Sequence, residues 1–239
     1  MSGTTILVVD DEPDITELIG LYLERDGFEV HATDNGEDAL KLVQQLRPEL
    51  ILLDIQLKTM DGIEVCSRIR EQSDVPILFI SCKSDDTDII HGLEVGGDDY
   101  ITKPFSPSQL VARVKAHLRR QTSAGKRMDR TPHELLTFDD LIIDLAGRTV
   151  HIGGREIALS VKEFELLLCL AQSPNRAFPL DVLYNIVWGA ESMGDTRTLM
   201  VHISNLRKKI EPDPANPSYI VTVRGVGYKF LYKEGLTYV

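Results

Sequence analysis

The chain has 239 residues, of which 43% are hydrophobic and 26% charged, with a formal net charge of −11. This composition indicates a soluble globular protein of one large or two ordinary domains. No apolar stretch approaches the roughly 20 residues that span a bilayer, and the first residues lack the basic segment of a signal peptide. Three widely spaced cysteines argue against a disulfide framework and a zinc site. We therefore expect a cytosolic protein with no membrane partner.

The charge is distributed unevenly along the chain. Residues 1–120 carry a formal net charge of −11, whereas residues 121–239 are neutral overall. Within the second half, residues 196–233 carry a local net charge of +5. An acidic first half joined to a basic stretch suggests a sensor domain linked to a polyanion binder. A solvated basic helix face explains the charge alone equally well.

Short aliphatic or β-branched segments alternate with amphipathic segments through the first half of the chain. The predicted strands are TILVVD, FEVHAT, ELILLD, PILFIS and DDYIT, and the predicted helices lie near residues 13–25, 35–46, 62–71, 85–95 and 106–120. Five strands alternating with five helices predict an α/β domain with a doubly wound, five-stranded parallel sheet.

Polar side chains follow several of these predicted strands. Asp10 and Asp11 end the first strand, Asp54 the third and Ser81 the fourth, and Lys103 follows the fifth. Functional groups gather beyond the carboxyl ends of such strands. Three neighbouring carboxylates repel one another unless one is protonated or a divalent ion binds, and Mg²⁺ suits hard oxygen ligands. With the lysine and the hydroxyl, this set predicts a phosphoryl-transfer site whose nucleophile is Asp54.

The motifs VVDDE, LLD, MDG, DDYITKPF and ARVKAHLRR resemble the receiver domain of two-component response regulators, over residues 4–120. The resemblance implies that a partner histidine kinase phosphorylates Asp54 and that the chain is not an enzyme beyond autodephosphorylation. The implied site residues are Asp54 as phosphoacceptor; Asp10, Asp11, Asp54 and the Gln56 backbone carbonyl as Mg²⁺ ligands; Lys103 as phosphoryl partner; and Ser81 with Tyr100 as the switch pair. Relatives commonly carry Pro-Gly where this chain has Lys58-Thr59, so we expect a different turn beside the site.

The pattern changes class in the second half. Residues 121–136 lose apolar periodicity and predict a linker between a receiver domain over 1–120 and a second domain over 137–239. The second domain begins with several short antiparallel strands. It continues with helices near 161–172, 180–188 and 196–210 and a final hairpin, YIVTVRGVGYKF. Three helices followed by a hairpin predict an α+β winged helix-turn-helix.

The predicted helix over residues 196–210 has two unlike faces. The apolar face carries Leu199, Ile203, Leu206 and Ile210, and the other side carries Arg197, Ser204, Asn205, Arg207 and Lys208. A helix with one core face and one polar, basic face meets the requirements of a major-groove reader. We therefore expect this helix to bind double-stranded DNA.

The motifs DTRTLMVHISNLRKKIE and YIVTVRGVGYKF resemble the OmpR/PhoB subfamily, over residues 137–232. By position, the implied DNA-binding residues are Trp188, Arg197, Met200, Val201, His202, Asn205, Arg207, Lys208, Thr222 and Arg224. Core packing is the alternative for Trp188, and a buried interface position is the alternative for His202. The resemblance also makes RNA polymerase a candidate partner of a promoter-bound regulator.

The resemblance further implies a homodimer formed through the fourth helix, fifth strand and fifth helix of the receiver. The residues expected at this interface are Ile90, Leu93, Glu94, Asp99, Val111, Arg113 and Lys115. Glu94 with Lys115 and Asp99 with Arg113 keep the charges of two expected intersubunit pairs.

Three other functions compete with that of a phosphorylation-switched transcription factor. A Mg²⁺-dependent phosphohydrolase often carries a second aspartate two residues after its nucleophile, and Gln56 occupies that position. A nucleotide-binding enzyme is disfavoured because no Gly-rich loop follows the first strand. A DNA-binding regulator that works without phosphorylation is the closer alternative. The complete set of acidic, hydroxyl and lysine residues argues against it.

Overall fold

The computed structural model describes residues 3–58, 60–82, 86–125, 135–189 and 196–232. The chain divides into two compact units. The first contains residues 1–125 and 188–198, and the second contains residues 126–187 and 199–239. None of the described helices is long and apolar enough to cross a bilayer.

The first unit is a parallel sheet flanked by helices. Its strands are β1 (Thr5–Val9), β2 (Glu29–Thr33), β3 (Leu50–Asp54), β4 (Ile77–Ser81) and β5 (Asp99–Thr102), and its helices are α1 (Pro13–Arg25), α2 (Gly36–Leu46), α3 (Gly62–Arg70), α4 (Asp86–Glu94) and α5 (Pro107–Gly125). The strand order is β2-β1-β3-β4-β5, with every pairing parallel. This confirms the predicted doubly wound sheet.

Burial on both faces explains why these segments form central strands. Every residue of β3 and β4 is buried, as expected for parallel strands covered by helices on both sides. Helix starts are fixed locally: Asn35 Oδ1 accepts a 2.8 Å hydrogen bond from Glu37 N, and Asp61 Oδ1 accepts one of 2.8 Å from Ile63 N. These caps satisfy backbone donors that have no partner within the helix.

Helix α5 differs from its predicted bounds. It ends at Gly125, five residues into the stretch predicted as a linker over 121–136. Loss of apolar periodicity predicted the earlier end, but the sequence QTSA contains no proline or glycine, so each residue costs little in a helix. Strand β6 begins at Leu135, two residues before the predicted second domain. Residues 126–134 of the predicted linker lie outside the described part of the chain.

The described part of the second unit contains two small antiparallel sheets, one whole helix and most of two more, whose residues 188 and 196–198 group with the first unit. Its elements are β6 (Leu135–Phe138), β7 (Leu141–Asp144), β8 (Thr149–Ile152), β9 (Arg155–Glu156), α6 (Val161–Ala171), β10 (Phe178–Pro179), α7 (Leu180–Trp188), α8 (Thr196–Ile210), β11 (Ile220–Val223) and β12 (Gly227–Phe230). The sheet orders are β6-β7-β8-β9 and β10-β12-β11. The helices followed by the β11–β12 hairpin confirm the predicted winged helix.

Buried charges fix α8 and the hairpin within this unit. The buried Glu163 carboxylate accepts 2.6 Å and 2.7 Å hydrogen bonds from Lys209 Nζ and from Ser160 N, which ties α8 to the start of α6. The buried Glu211 accepts hydrogen bonds from the backbone N–H groups of Ser218 and Tyr219 and from Ile220 N at 2.7 Å. Charge-assisted bonds of this kind are strong, so the turn from α8 into β11 is held in one conformation.

Candidate functional site

The carboxyl ends of β1 and β3 bring two aspartates to one edge of the sheet. Val9 and Leu53 are paired across the two strands, and Asp10 and Asp54 are the next residues of each chain segment. Both are almost completely buried, with exposed fractions of 3% and 4%. Two carboxylates that lie this close together and are shielded from solvent need a nearby positive charge to offset their repulsion.

The chain turns sharply after Asp54, and a glycine makes this turn possible. Gly62 N donates a 2.8 Å hydrogen bond to Ile55 O at the start of α3. A Cβ atom at position 62 would lie 2.0 Å from the Asp54 carbonyl oxygen, so no larger residue fits there. The start of α3 is therefore pinned directly against the backbone of Asp54.

Lys103 supplies the cation for this acidic edge. Its Nζ lies 2.7 Å from Asp54 Oδ2, 2.9 Å from Asp10 Oδ2 and 2.7 Å from Glu12 Oε1, and only 6% of its side chain is exposed. Burial alone would lower the pKa of Lys103, but hydrogen bonds to the three carboxylates outweigh burial and raise it. Burial raises the pKa of Asp10, and the nearby ammonium partly opposes this change.

Three carboxylates in this cluster could hold a metal ion. Oxygen atoms of Asp10, Glu12 and Asp54 all lie within 4.8 Å of one another. Such a set of hard oxygen donors suits Mg²⁺. Sequence analysis did not predict Glu12 as a metal ligand, although Glu12 lies in the VVDDE motif. The signal that could have found it is one more acidic residue at the end of the same strand.

Two other predicted magnesium ligands lie beside this cluster. Asp11 has its carboxylate 3.6 Å from Lys58 Nζ, and its backbone carbonyl accepts a hydrogen bond of 3.2 Å from the same atom. Gln56 N donates a 3.0 Å hydrogen bond to Asp54 Oδ1, which places the Gln56 peptide next to the predicted phosphoacceptor. Thr59, the second residue of the unusual turn, lies outside the described residues.

The predicted switch pair is in direct contact. Ser81, at the end of β4, is fully buried, and Tyr100 in β5 is 4% exposed. The two hydroxyl groups share a hydrogen bond, while burial raises the pKa of Tyr100 to about 12. The Ser81 backbone is also bonded to the segment that carries the cationic side chain, through Lys103 N to Ser81 O at 2.8 Å. The switch pair and the charged cluster are thus linked through one short stretch of backbone.

The predicted DNA-binding residues separate into three groups by exposure. Met200, Lys208, Thr222 and Arg224 are exposed; Arg197, Asn205 and Arg207 are half-buried; Trp188, Val201 and His202 are buried. Contact of all ten residues with DNA stays a prediction. The apolar face predicted for α8 is confirmed, since Leu199, Ile203, Leu206 and Ile210 are all at most 2% exposed.

Arg207 connects α8 with the hairpin. Its Nε donates a 2.9 Å hydrogen bond to Ile220 O, and its Nη2 donates one of 3.0 Å to the Thr222 hydroxyl. Its guanidinium also lies over the Tyr228 ring, 5.4 Å from the ring centroid. Arg207 therefore orients the exposed residues of α8 relative to those of the hairpin.

The residues predicted for a dimer interface make contacts within the chain. Arg113 Nη1 lies 3.0 Å from Asp99 Oδ2, and Lys115 Nζ lies 2.6 Å from Asp26 Oδ1. Among the apolar members Leu93 and Val111 are buried and Ile90 is 39% exposed, while Glu94 is exposed.

Comparisons with known proteins match both halves of the chain. The family model described as response regulator receiver domain matches residues 6–115, and that described as transcriptional regulatory protein, C terminal, matches residues 154–230. The DNA-binding response regulator MtrA of Mycolicibacterium smegmatis is 45% identical over 224 residues, 94% of this chain and 95% of MtrA. The transcriptional regulatory protein YvrH of Bacillus subtilis is 42% identical over 232 residues, 97% of each chain. This chain belongs to the response regulators.

A solved structure specifies the subfamily. The response regulator DrrB, a Thermotoga maritima OmpR/PhoB homologue, is 36% identical and matches 95% of this chain and 98% of its own with a TM-score of 0.51. The chain is thus an OmpR/PhoB-type response regulator, and a phosphorylation-dependent, DNA-binding regulator of transcription. Response regulators are not classical enzymes. The two domains imply a histidine kinase and DNA as partners.

Proposed function

We propose that Asp54 is the residue that accepts the phosphoryl group. An oxygen of the Asp54 carboxylate forms a bond to phosphorus while the bond between phosphorus and the imidazole nitrogen of a kinase phosphohistidine breaks. The imidazole leaves with the electron pair of that bond. The observation that carries this proposal is the burial of Asp54 at the end of β3 with Lys103 Nζ 2.7 Å from its Oδ2.

Lys103 has two roles in this proposal. Before transfer it neutralises the buried carboxylates, which would otherwise repel an anionic phosphoryl group. After transfer its ammonium pairs with a phosphoryl oxygen, since a charge-assisted hydrogen bond forms readily with such an anion. Asp10, Glu12 and Asp54, with Asp11 and the Gln56 carbonyl at the rim, would hold Mg²⁺. When bound, Mg²⁺ supplies further positive charge for the phosphoryl oxygens.

The phosphoryl group is then coupled to a change of conformation. It adds about −1.5 to −2 of charge and strong acceptor oxygens, to which the Ser81 hydroxyl would donate after its hydrogen bond with Tyr100 breaks. One such bond contributes on the order of 1.5–3 kcal/mol, whereas a shift from 1:99 to 99:1 requires about 5.5 kcal/mol. Lys103 and dimerisation of the receivers through α4, β5 and α5 would provide the remainder. Autodephosphorylation would end the signal.

The output of the switch is binding of promoter DNA in the cytoplasm. Exposed Lys208 and Arg224, with half-buried Arg197, would contact phosphates, and Met200 and Asn205 on α8 would lie nearest the base edges. Phosphate contacts fix the position of a protein on DNA, whereas contacts to base edges provide specificity. Recruitment of RNA polymerase at the promoter is the proposed downstream step.

A phosphorylation experiment tests the proposed acceptor. The full-length protein is incubated with a small-molecule phosphodonor and Mg²⁺, and intact mass is measured beside gel filtration. We expect wild type to gain the mass of one phosphoryl group and to shift towards a dimer. Asp54→Asn should gain none, and Asp74→Asn, which alters an exposed aspartate away from the cluster, should behave as wild type. No gain in wild type, or an equal gain in Asp54→Asn, would overturn the assignment.

A further inference from the structure

Lys58 lies in the connection from β3 to α3 and reaches across to the segment that follows β1. Its Nζ donates a 3.2 Å hydrogen bond to Asp11 O and lies 3.6 Å from Asp11 Oδ2. The two residues are 47 positions apart in sequence. This ion pair therefore joins the two loops that carry the proposed metal ligands.

The environment of the pair is asymmetric. The Lys58 side chain is 70% exposed, whereas the Asp11 side chain is only 17% exposed. Asp11 is also outside the set of carboxylates that lie within 4.8 Å of one another, which contains its two neighbours Asp10 and Glu12. The Asp11 carboxylate is thus held beside a lysine ammonium and next to, rather than within, the carboxylate cluster.

We propose that Lys58 is a positioning residue that competes with Mg²⁺ for Asp11 and thereby weakens metal binding by the receiver. The inference rests on the proposed magnesium site and adds a residue that sets its affinity. A positive charge at position 58 repels a divalent cation directly and also occupies the carboxylate that would approach it. Metal binding and the Lys58–Asp11 pair therefore oppose each other.

The size of the effect follows from the exposure of Lys58. Exposed ion pairs are worth about 0–1 kcal/mol, which corresponds to at most about a fivefold change in a dissociation constant. By linkage, Mg²⁺ must weaken the Lys58–Asp11 pair by the same factor by which the pair weakens Mg²⁺ binding. Binding of the metal would thus weaken the Lys58–Asp11 contact between the β3–α3 connection and the segment after β1 by at most about fivefold.

Calorimetric titration of the full-length protein with MgCl₂ tests this inference without measuring phosphorylation. We expect Lys58→Ala to lower the Mg²⁺ dissociation constant about two- to fivefold and Lys58→Glu to lower it further. Lys58→Arg should retain the weak binding of wild type because it keeps the charge. These differences should shrink in about 1 M salt, where the Debye length is about 3 Å.

Lys41 provides matched control variants. It is 65% exposed and forms an ion pair with Asp38 on α2, where it is not part of the acidic cluster. Lys41→Ala and Lys41→Glu change the net charge by the same amounts and should leave the dissociation constant unchanged. Equal affinities in wild type, Lys58→Ala and Lys58→Glu, or equal shifts in the Lys41 variants, would overturn the role of Lys58. Failure of wild type to bind Mg²⁺ would instead overturn the proposed metal site itself, and this inference with it.

Discussion

The two candidate sites are built in opposite ways. At the end of the parallel sheet, the side chains of Asp10, Asp54 and Lys103 are almost fully buried, and Lys103 contacts both aspartates. On the second unit, Lys208 and Arg224 extend into solvent from a helix and a hairpin. Buried charges are fixed by their partners and are costly to disturb, whereas exposed charges contribute little to stability. Substitutions at the buried site of the first unit should therefore affect both folding and signalling. Substitutions on the exposed surface predicted to bind DNA should affect only the affinity for DNA.

The largest expected effect concerns a buried ion pair of the first unit. Asp99 is fully buried, and Arg113 Nη1 donates to both of its oxygens at 3.1 Å and 3.0 Å. Asp99→Asn leaves the guanidinium without its counter-ion and should lower the free energy of unfolding of this unit by about 3–5 kcal/mol. Native-state hydrogen exchange of β4 and β5 amides measures this loss. Asp74→Asn is the control, and equal protection in both variants would contradict the expectation.

The same pair predicts a pH dependence of stability. Burial raises the pKa of Asp99, but Arg113 and His117 outweigh burial and lower the pKa from 3.8 to about 2. Because the folded-state pKa is the lower one, this stabilisation is present above about pH 4 and is lost as the pH falls towards 2. Asp99→Asn should lack this part of the acid sensitivity. Identical acid-unfolding profiles for wild type and Asp99→Asn would refute the predicted pH dependence.

An intermediate effect is expected at Ser81, which lies in the buried site of the first unit and is proposed to control DNA binding by the second. Ser81→Ala should still gain a phosphoryl group on Asp54. Its phosphorylation-dependent gain in DNA affinity should fall about tenfold or more, because one charge-assisted hydrogen bond of about 1.5–3 kcal/mol is lost. Fluorescence anisotropy with labelled DNA measures this gain, and Ser81→Thr, which keeps the hydroxyl, should retain it. A full gain in Ser81→Ala would exclude the proposed coupling.

The smallest expected effect is at the exposed hairpin. Arg224→Ala should weaken binding to all DNA sequences by a similar factor and reduce the slope of log K against log salt by about one. Stability should change by less than about 0.5 kcal/mol, since Arg224 is exposed. Arg155→Ala, which changes an exposed residue of strand β9 in the other sheet of the same unit, is the control. Loss of affinity for one sequence only would show that Arg224 reads bases instead.

Sequence reasoning worked best where topology brings residues together. In a parallel sheet all strands end at the same edge, so Asp10, Asp54, Ser81 and Lys103 could be placed near one another from their positions alone. The central place of Lys103 among three carboxylates, and the part played by Glu12, could not be foreseen. They depend on loop conformation and side-chain rotamers, which periodicity does not encode.

On α8, periodicity predicted the core face but not its width. Val201 and His202, which family resemblance matches to DNA-contacting positions, are 7% and 2% exposed, and their contact with DNA stays a prediction. A repeat of 3.6 residues marks the centre of the apolar stripe and leaves its edges open, because the neighbouring elements decide how much of the helix is covered. The end of α5 was missed for a related reason: no proline or glycine marks a stop before Gly125.

Coupling between the two sites is the central claim, and one binding measurement tests it most directly. DNA fragments are selected by the phosphorylated full-length protein, and their affinities are measured with and without phosphodonor and Mg²⁺, for wild type and for Asp54→Asn. We expect the phosphodonor to tighten binding by wild type and to leave binding by Asp54→Asn unchanged. Equal affinity of wild type with and without phosphodonor, or the same tightening in Asp54→Asn, would contradict the account.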